Sequence, residues 1–241
     1  MRVRSCSGFY TLNMDEISTL AYEGNIDILK IKLREDHSKA IKKDVSQRMP
    51  LHWAASGGHN EIVELLLSMD VPVDARDEAM WTPMMIAASA GREQIVRDLV
   101  SRGAQVNAVN QTGQCALHYA ASKDRYQIAE LLLENGGALD IGDLYENTPL
   151  HRAASKGHVK ITKLLLQYRP DVNYKDSSGN TPLHVACEEE RSEVARLLIQ
   201  HGAYVTIMNK EEQTPLDLAP PNLRRTLKKL SEDIHIVPND R

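Results

Sequence analysis

The sequence predicts an all-α solenoid, and three observations carry that prediction. Proline, or the residue in its place, recurs at Pro50, Pro83, Ala116, Pro149, Pro182 and Pro215, always thirty-three positions apart. Each period contains a short alanine-rich stretch followed by a longer leucine-rich one, both with apolar residues at helical spacing. Aromatic residues make up only 5% of the 241 residues, with a single Phe, so the core must be built from Leu, Ile, Val and Ala. A fixed period of this length marks stacked units that cannot bury their apolar faces alone.

The elements follow in order along each period. Ala54-Ala55, Ala87-Ala88, Ala120-Ala121 and Ala153-Ala154 lie on a short first helix, where small side chains let neighbouring units approach. Gly58, Gly91 and Gly157 end that helix in the left-handed conformation that glycine adopts without steric cost, with Asp124 and Glu190 as exceptions. A second helix carries Ile62, Val63, Leu65, Leu66 and Leu67, then Ile128, Ala129, Leu131, Leu132 and Leu133, then Ile161, Leu164, Leu165 and Leu166. Gly103-Ala104, Gly137-Ala138 and Gly202-Ala203 are expected to close it. Stepping back thirty-three residues from Pro50 reaches Ile17, where Leu20 to Gly24 read as a degraded first helix and Ile26 to Leu33 as its partner. The polar density from Asp27 to Lys43 suits a terminal unit with one neighbour. Residues 1–14 read as a disordered tail, 15–230 as the repeat domain with Asn222 to Leu230 as its closing helix, and 231–241 as a second tail.

Composition removes several function classes. The net charge is -4 and the pI near 6.1, with Lys and Arg spread along the chain, so the basic stripe of a nucleic-acid binder is missing. No apolar run approaches the roughly 18 residues of a membrane span, and the N-terminus lacks a secretory apolar region. Cys6, Cys115 and Cys187 are an odd number without close pairs, as expected of free thiols in a reducing compartment, and the reading is a cytoplasmic and nuclear monomer.

Chemistry-bearing residues give no catalytic pattern. His52, His118, His151 and His184 share one place in the period, where a buried imidazole is expected to hydrogen-bond the backbone of the adjacent turn. Cys115 and His118 have no second ligand pair at zinc spacing, so no metal and no cofactor is expected. Phosphate loops, nucleophile elbows and H-E-x-x-H helices are missing, and Asp77, Asp143 and Asp176 recur with the period as turn residues. A non-enzymatic protein binder is therefore expected, its contacts written at turn tips and first-helix ends on a concave face. Those positions include Arg48, Glu78, Trp81, Ser89, Lys123, Tyr145, Lys156, Glu188 and Glu189. Trp81 and Tyr145 are the candidate aromatic anchors. The basic residues lie in earlier and middle units and the acidic pair in a later one, which suits a partner of complementary charge pattern.

The turns Met49-Pro50-Leu51-His52, Thr82-Pro83-Met84-Met85, Cys115-Ala116-Leu117-His118, Thr148-Pro149-Leu150-His151, Thr181-Pro182-Leu183-His184 and Thr214-Pro215-Leu216-Asp217 carry the T-P-L-H signature of ankyrin repeats. The fold class is thus an ankyrin-repeat solenoid with an N-terminal capping unit plus six 33-residue units. Leu51-His52-Trp53-Ala54-Ala55, Gly103 to Gln111 and Leu117 to Lys123 further resemble the gankyrin family, the proteasome non-ATPase regulatory subunits. That resemblance covers about Leu20 to Gln213 and implies an assembly chaperone of the proteasome regulatory particle that grips the C-terminal domain of a base AAA ATPase subunit. Under it, two basic contacts fall on Arg48 and Lys123 and an acidic one on Glu78, while an aspartate expected two positions before Arg48 is Ser46. The family is also linked to a cyclin-dependent kinase, a ubiquitin ligase for p53 and the retinoblastoma protein. The L-x-C-x-E motif for the last is incomplete here as Val185-Ala186-Cys187-Glu188-Glu189. The alternative is another ankyrin adaptor, such as a cyclin-dependent kinase inhibitor or a transcription-factor retention module.

Overall fold

A computed structural model describes residues 2–5, 8–11 and 14–236. Among these, helices pair in chain order: α1 (Glu16–Glu23) with α2 (Ile26–Glu35), α3 (Pro50–Gly57) with α4 (Asn60–Ser68), and α5 (Pro83–Ala90) with α6 (Glu93–Ser101). Then come α7 (Ala116–Ser122) and α8 (Tyr126–Glu134), α9 (Pro149–Lys156) with α10 (Val159–Gln167), α11 (Pro182–Glu188) with α12 (Ser192–Gln200), and α13 (Pro215–Leu218) with α14 (Pro221–Ile236). These are the capping unit and six further units read from the period. The chain divides into two compact bodies, residues 1–120 with 134–137, and residues 121–133 with 138–241.

Two boundaries differ from the sequence reading. Within the stretch read as a tail, β1 (Arg2–Ser5) pairs antiparallel with β2 (Gly8–Thr11), a segment that contains the strand formers Val3, Phe9 and Tyr10. At the other end α14 continues past Leu230 to Ile236, and residues 237–241 lie outside the described residues, as does Cys6.

Turns set the repeat. The side-chain oxygen of Asp44 accepts the amides of Ser46 and Arg48 at 2.8 and 2.9 Å, and Asp77 accepts those of Ala79 and Trp81. Asn110, Asp143, Asp176 and Asn209 bond the amides two and four residues on in the same way. Such a turn needs a left-handed residue before its last amide. Gln47, Met80, Gly113, Glu146, Gly179 and Glu212 take positive φ there, so only two of six use glycine. Turns also bond one to the next: Glu78 N–H to Ser46 O and Gln111 N–H to Ala79 O in the first body, Ser177 to Tyr145 and Lys210 to Ser178 in the second.

The histidines join cap to neighbour. From α3 onward each first helix starts on Pro or Ala, and the imidazole three residues after the cap accepts the cap amide on Nδ1, for His52, His118, His151 and His184. In His52, His151 and His184 the opposite nitrogen, Nε2, therefore carries the proton and donates to a carbonyl of the following unit, Ala75, Asn180 and Gln213 respectively. All four rings are buried, as a satisfied polar ring can be. At the far end of the first helix, the residue that opens the second helix reaches back to the preceding unit: His59 to Tyr22 O, Arg92 to Ser56 O, His158 to Ser122 O and Arg191 to Ser155 O.

The period slips by one residue at the first unit. Its cap is Asp15 and its left-handed glycine Gly24, thirty-four residues before Met49 and Gly58, so the counterpart of Pro50 is Glu16 and not Ile17. The second-helix closure also shifts: Gly136, not Gly137, takes the left-handed place, in step with Asp70, Gly103, Arg169 and Gly202. Between the caps, the alanine pairs and residues such as Leu66, Leu99, Leu132 and Leu198 have no exposed surface. Each such Leu contributes about 2 kcal/mol by burial.

The buried rings make stability depend on pH. Burial holds His52 well below its ordinary 6.5, at about 4, and depresses His151 and His184 in the same direction. Unfolded histidines take up a proton near pH 6.5 that the folded ones refuse, so the unfolded chain binds more protons below that pH. Stability is complete above 6.5 and is lost as the pH falls from 6.5 toward 4, His52 alone accounting for on the order of 3 kcal/mol. Urea unfolding at pH 7.5, 6 and 5 is expected to give midpoints that fall in that order, whereas a flat profile contradicts this account.

Candidate protein-binding surface

In the first body, Arg48 follows the Asp44 turn and its side chain is only 20% exposed. Its Nε donates to Asp77 at 2.9 Å, a side chain 3% exposed, and its Cζ lies 5.0 Å from the Trp53 ring centre. Arg48 is thus part of the join between two turns as well as a surface residue. Glu78 is exposed at the next tip, where its backbone carbonyl accepts from the Gln111 side chain. Trp81 is half-buried because its ring lies on Tyr119 at 4.4 Å, tilted 33°. Tyr119 in turn bonds Asn110 and Gln114, which fixes the platform under Trp81. Ser89, expected at the surface, is 3% exposed because it lies on the packed side of α5.

In the second body, Lys123 is exposed just after α7, and no ion pair to it is seen among the described residues. Leu144 and Tyr145 form an apolar tip, 67% and 68% exposed. Lys156 is exposed as the last residue of α9, where a cation faces the negative end of the helix dipole. Glu188 ends α11 and Glu189 follows it, both exposed at a helix end that disfavours carboxylates, and Arg191 sits 3.5 Å from Glu189. Glu190 holds a left-handed backbone at φ 57 in the place glycine takes elsewhere.

One residue of this surface went unread in the sequence. Arg152, on α9, is about one third exposed and pairs with the buried Asp143 of its own turn. Burial pushes Asp143 upward, but the Arg152 guanidinium and the amides of Asn147 and Tyr145 outweigh it and hold the carboxyl below its usual value. The available signal was position: Trp53, Tyr119 and Arg152 all stand nine residues after a turn residue, and each reaches that residue's second polar atom. Where the ninth residue is Ile86, Arg48 of the preceding unit takes over.

The thiols have structural surroundings. Cys115 is buried with Sγ 3.1 Å from His118 Nδ1, and burial raises its pKa. Cys187 is buried inside α11 and pushed up to about 12, so presenting Val185 to Glu189 as an extended motif requires unwinding that helix. Among the described residues no group of three His, Cys, Asp or Glu is placed to hold a metal, and no helix is long and apolar enough to cross a membrane.

Known proteins share this pattern. The family profile described as ankyrin repeats (3 copies) matches residues 17–110, 71–143, 99–176, 136–209 and 169–239. The 26S proteasome non-ATPase regulatory subunit 10 of Mus musculus, Rattus norvegicus and Homo sapiens is 52% identical over 66 residues, 27% of this chain. The match spans 29% of the length of those relatives. The human ASB11 ankyrin repeat domain superposes with a TM-score of 0.81 at 25% identity, covering 90% of this chain and 98% of that one. The ankyrin repeat domain of Bcl-3 gives 0.78 at 24% identity, over 90% and 99%.

The contrast between Arg48 and Lys123 has a measurable consequence for stability. Arg48→Glu sets a second carboxylate against the buried Asp77 and is expected to destabilise by about 3 kcal/mol. Lys123→Glu, in solvent, is expected to stay within about 0.5 kcal/mol of the parent. Urea unfolding of the two variants checks this, and equal midpoints contradict it.

Proposed function

The chain belongs to the ankyrin-repeat family, and on that footing we propose that it is an assembly chaperone of the proteasome regulatory particle, holding the C-terminal domain of a base AAA ATPase subunit. The observation that carries this reading is the 66-residue stretch 52% identical to a proteasome non-ATPase regulatory subunit. The surface chemistry agrees with it. A repeat scaffold leaves its turn tips to the partner, and here they offer charge and apolar area with no catalytic constellation beside them.

In this reading Lys123 supplies the leading electrostatic contact to acidic residues of the ATPase domain. Glu78 supplies one of opposite sign, and the exposed edge of Arg48 assists. Trp81 presents the ring face that Tyr119 leaves open, and Tyr145 with Leu144 gives an apolar anchor of the kind that dominates interface energies. Lys156, Glu188 and Glu189 extend the charge pattern and set orientation more than affinity. Work on the regulatory particle implies a cytoplasmic and nuclear protein.

A pull-down from native lysate with mass spectrometry tests the partner. Enrichment of one proteasomal ATPase with little core particle is the expected result. Recovery of kinases or transcription factors without an ATPase would move the chain to the adaptor class and leave the fold untouched. For the site, Lys123→Glu is expected to weaken binding of the isolated ATPase domain by about tenfold, equivalent to ~1.4 kcal/mol, with an unchanged melting curve. Calorimetric affinity equal to that of the parent would remove Lys123 from the interface.

A further inference from the structure

The outer face of the first helical pair carries residues that later units bury. With the one-residue slip included, Ile28 on α2 stands in the place of Ile62, Ile95, Ile161 and Val194. Those four are at most 1% exposed, and Ile28 is 49% exposed. Ile31 stands in the place of Leu65 and Asp98, which are half-buried, and of Leu131, Leu164 and Leu197, which are 7%, 3% and 7% exposed, and is itself 55% exposed. Leu29 and Leu33, on the other side of α2, are as buried as their counterparts Val63 and Leu67. Ile28 and Ile31 thus lie on the side that meets a preceding pair in a later unit.

A terminal unit adapts that side by making it polar. Lys32 shows the adaptation: it replaces the leucine of Leu66 and Leu99 and pairs with Glu16 at 3.0 Å. Ile28 and Ile31 are not adapted, so the face is built to be covered, and covering each isoleucine is worth about 2 kcal/mol. A further helical pair is a poor cover. Leu20 occupies the place of Ala54, Ala87, Ala153 and Ala186, the small residues that allow first helices to approach closely.

The chain has another segment at this end. The strands Arg2–Ser5 and Gly8–Thr11 pair with Val3 opposite Tyr10 and Arg4 opposite Phe9, the only Phe in the sequence. An isolated two-stranded hairpin is marginal in water and needs an apolar surface to persist. Residues 12–15 alone separate it from α1. Four residues reach at most about 14 Å, and packed helix axes lie about 8–10 Å apart, so a tether of that length is enough for the step to α2.

We propose that the hairpin Arg2–Thr11 packs over Ile28 and Ile31 and closes the repeat array at its N-terminal end. The test uses the full chain with isotope-labelled isoleucine methyl groups, observed by NMR at two protein concentrations with a soluble paramagnetic probe. The expected result is contact between the Ile28 and Ile31 methyls and an aromatic ring, with protection from the probe, at both concentrations. In the Phe9→Ser, Tyr10→Ser double variant the ring contact and the protection are expected to be lost, while methyls of Ile62 and Ile95 keep theirs. Ile28→Ser with Ile31→Ser is expected to lower the melting temperature of the parent but not of the Phe9→Ser, Tyr10→Ser chain. Methyls as open in the parent as in the variant overturn the proposal. So does protection that arises only at the higher concentration, which would assign the face to a second copy.

Discussion

One side-chain oxygen, repeated six times, carries the geometry of this chain. The oxygens of Asp44, Asp77, Asn110, Asp143, Asp176 and Asn209 each take two amides of their own turn and so fix where the next first helix begins. With the turn held, its last carbonyl is placed for the histidine Nε2 of the preceding unit, as Asn180 and Gln213 are for His151 and His184. A net hydrogen bond contributes about 1 kcal/mol, but leaving one of these buried partners alone costs more, so each turn and each histidine depends on the other. The period tolerates no insertion after the first unit for that reason.

The same oxygen explains why a surface arginine is not simply a surface arginine. Each turn residue has a second polar atom, and in the buried ones, Asp44, Asp77, Asn110 and Asp143, that atom has to find a partner. Trp53, Tyr119 and Arg152 provide it from within the unit. Where Ile86 stands in that place, the demand passes to Arg48, and Asn180 bonds Asn209 at the same separation of twenty-nine residues. Arg48 can therefore serve a partner only with the part of its guanidinium that Asp77 leaves, whereas Lys123 has no such obligation.

Much of the fold was legible because its rules are local. Turn acids, caps, T-P-L-H histidines and the alanine pairs act within four residues or at one fixed period, and a period survives substitution at single sites such as Ala116. The slip at the first unit was not legible, since that unit has neither the proline nor the histidine that would reveal an extra residue. Gly136 and Gly137 are not distinguished by the sequence, because two adjacent glycines offer no choice without the φ of the neighbouring units. The surface was less legible than the fold. Arg48 meets Asp77 across twenty-nine residues and Trp81 meets Tyr119 across thirty-eight, separations at which residue type alone does not announce contact.

What distinguishes positions left free by packing from positions fixed by it is then visible in the turns themselves. The two residues after each turn acid or amide are Val45-Ser46, Glu78-Ala79, Gln111-Thr112, Leu144-Tyr145, Ser177-Ser178 and Lys210-Glu211. Their backbones make the same bonds, yet the six tips include apolar, acidic, amide, hydroxyl and oppositely charged side chains. Positions that packing governs converge on one residue type, as Leu66, Leu99, Leu132, Leu165 and Leu198 do, because a buried site admits few volumes. Divergence on an identical backbone means that the fold makes little demand there, the Gln111 side chain on the Glu78 carbonyl being an exception. The tips are where a partner's demands can be met without cost to the array, and Leu144-Tyr145, the most apolar and among the most exposed of them, is where desolvation would yield the most.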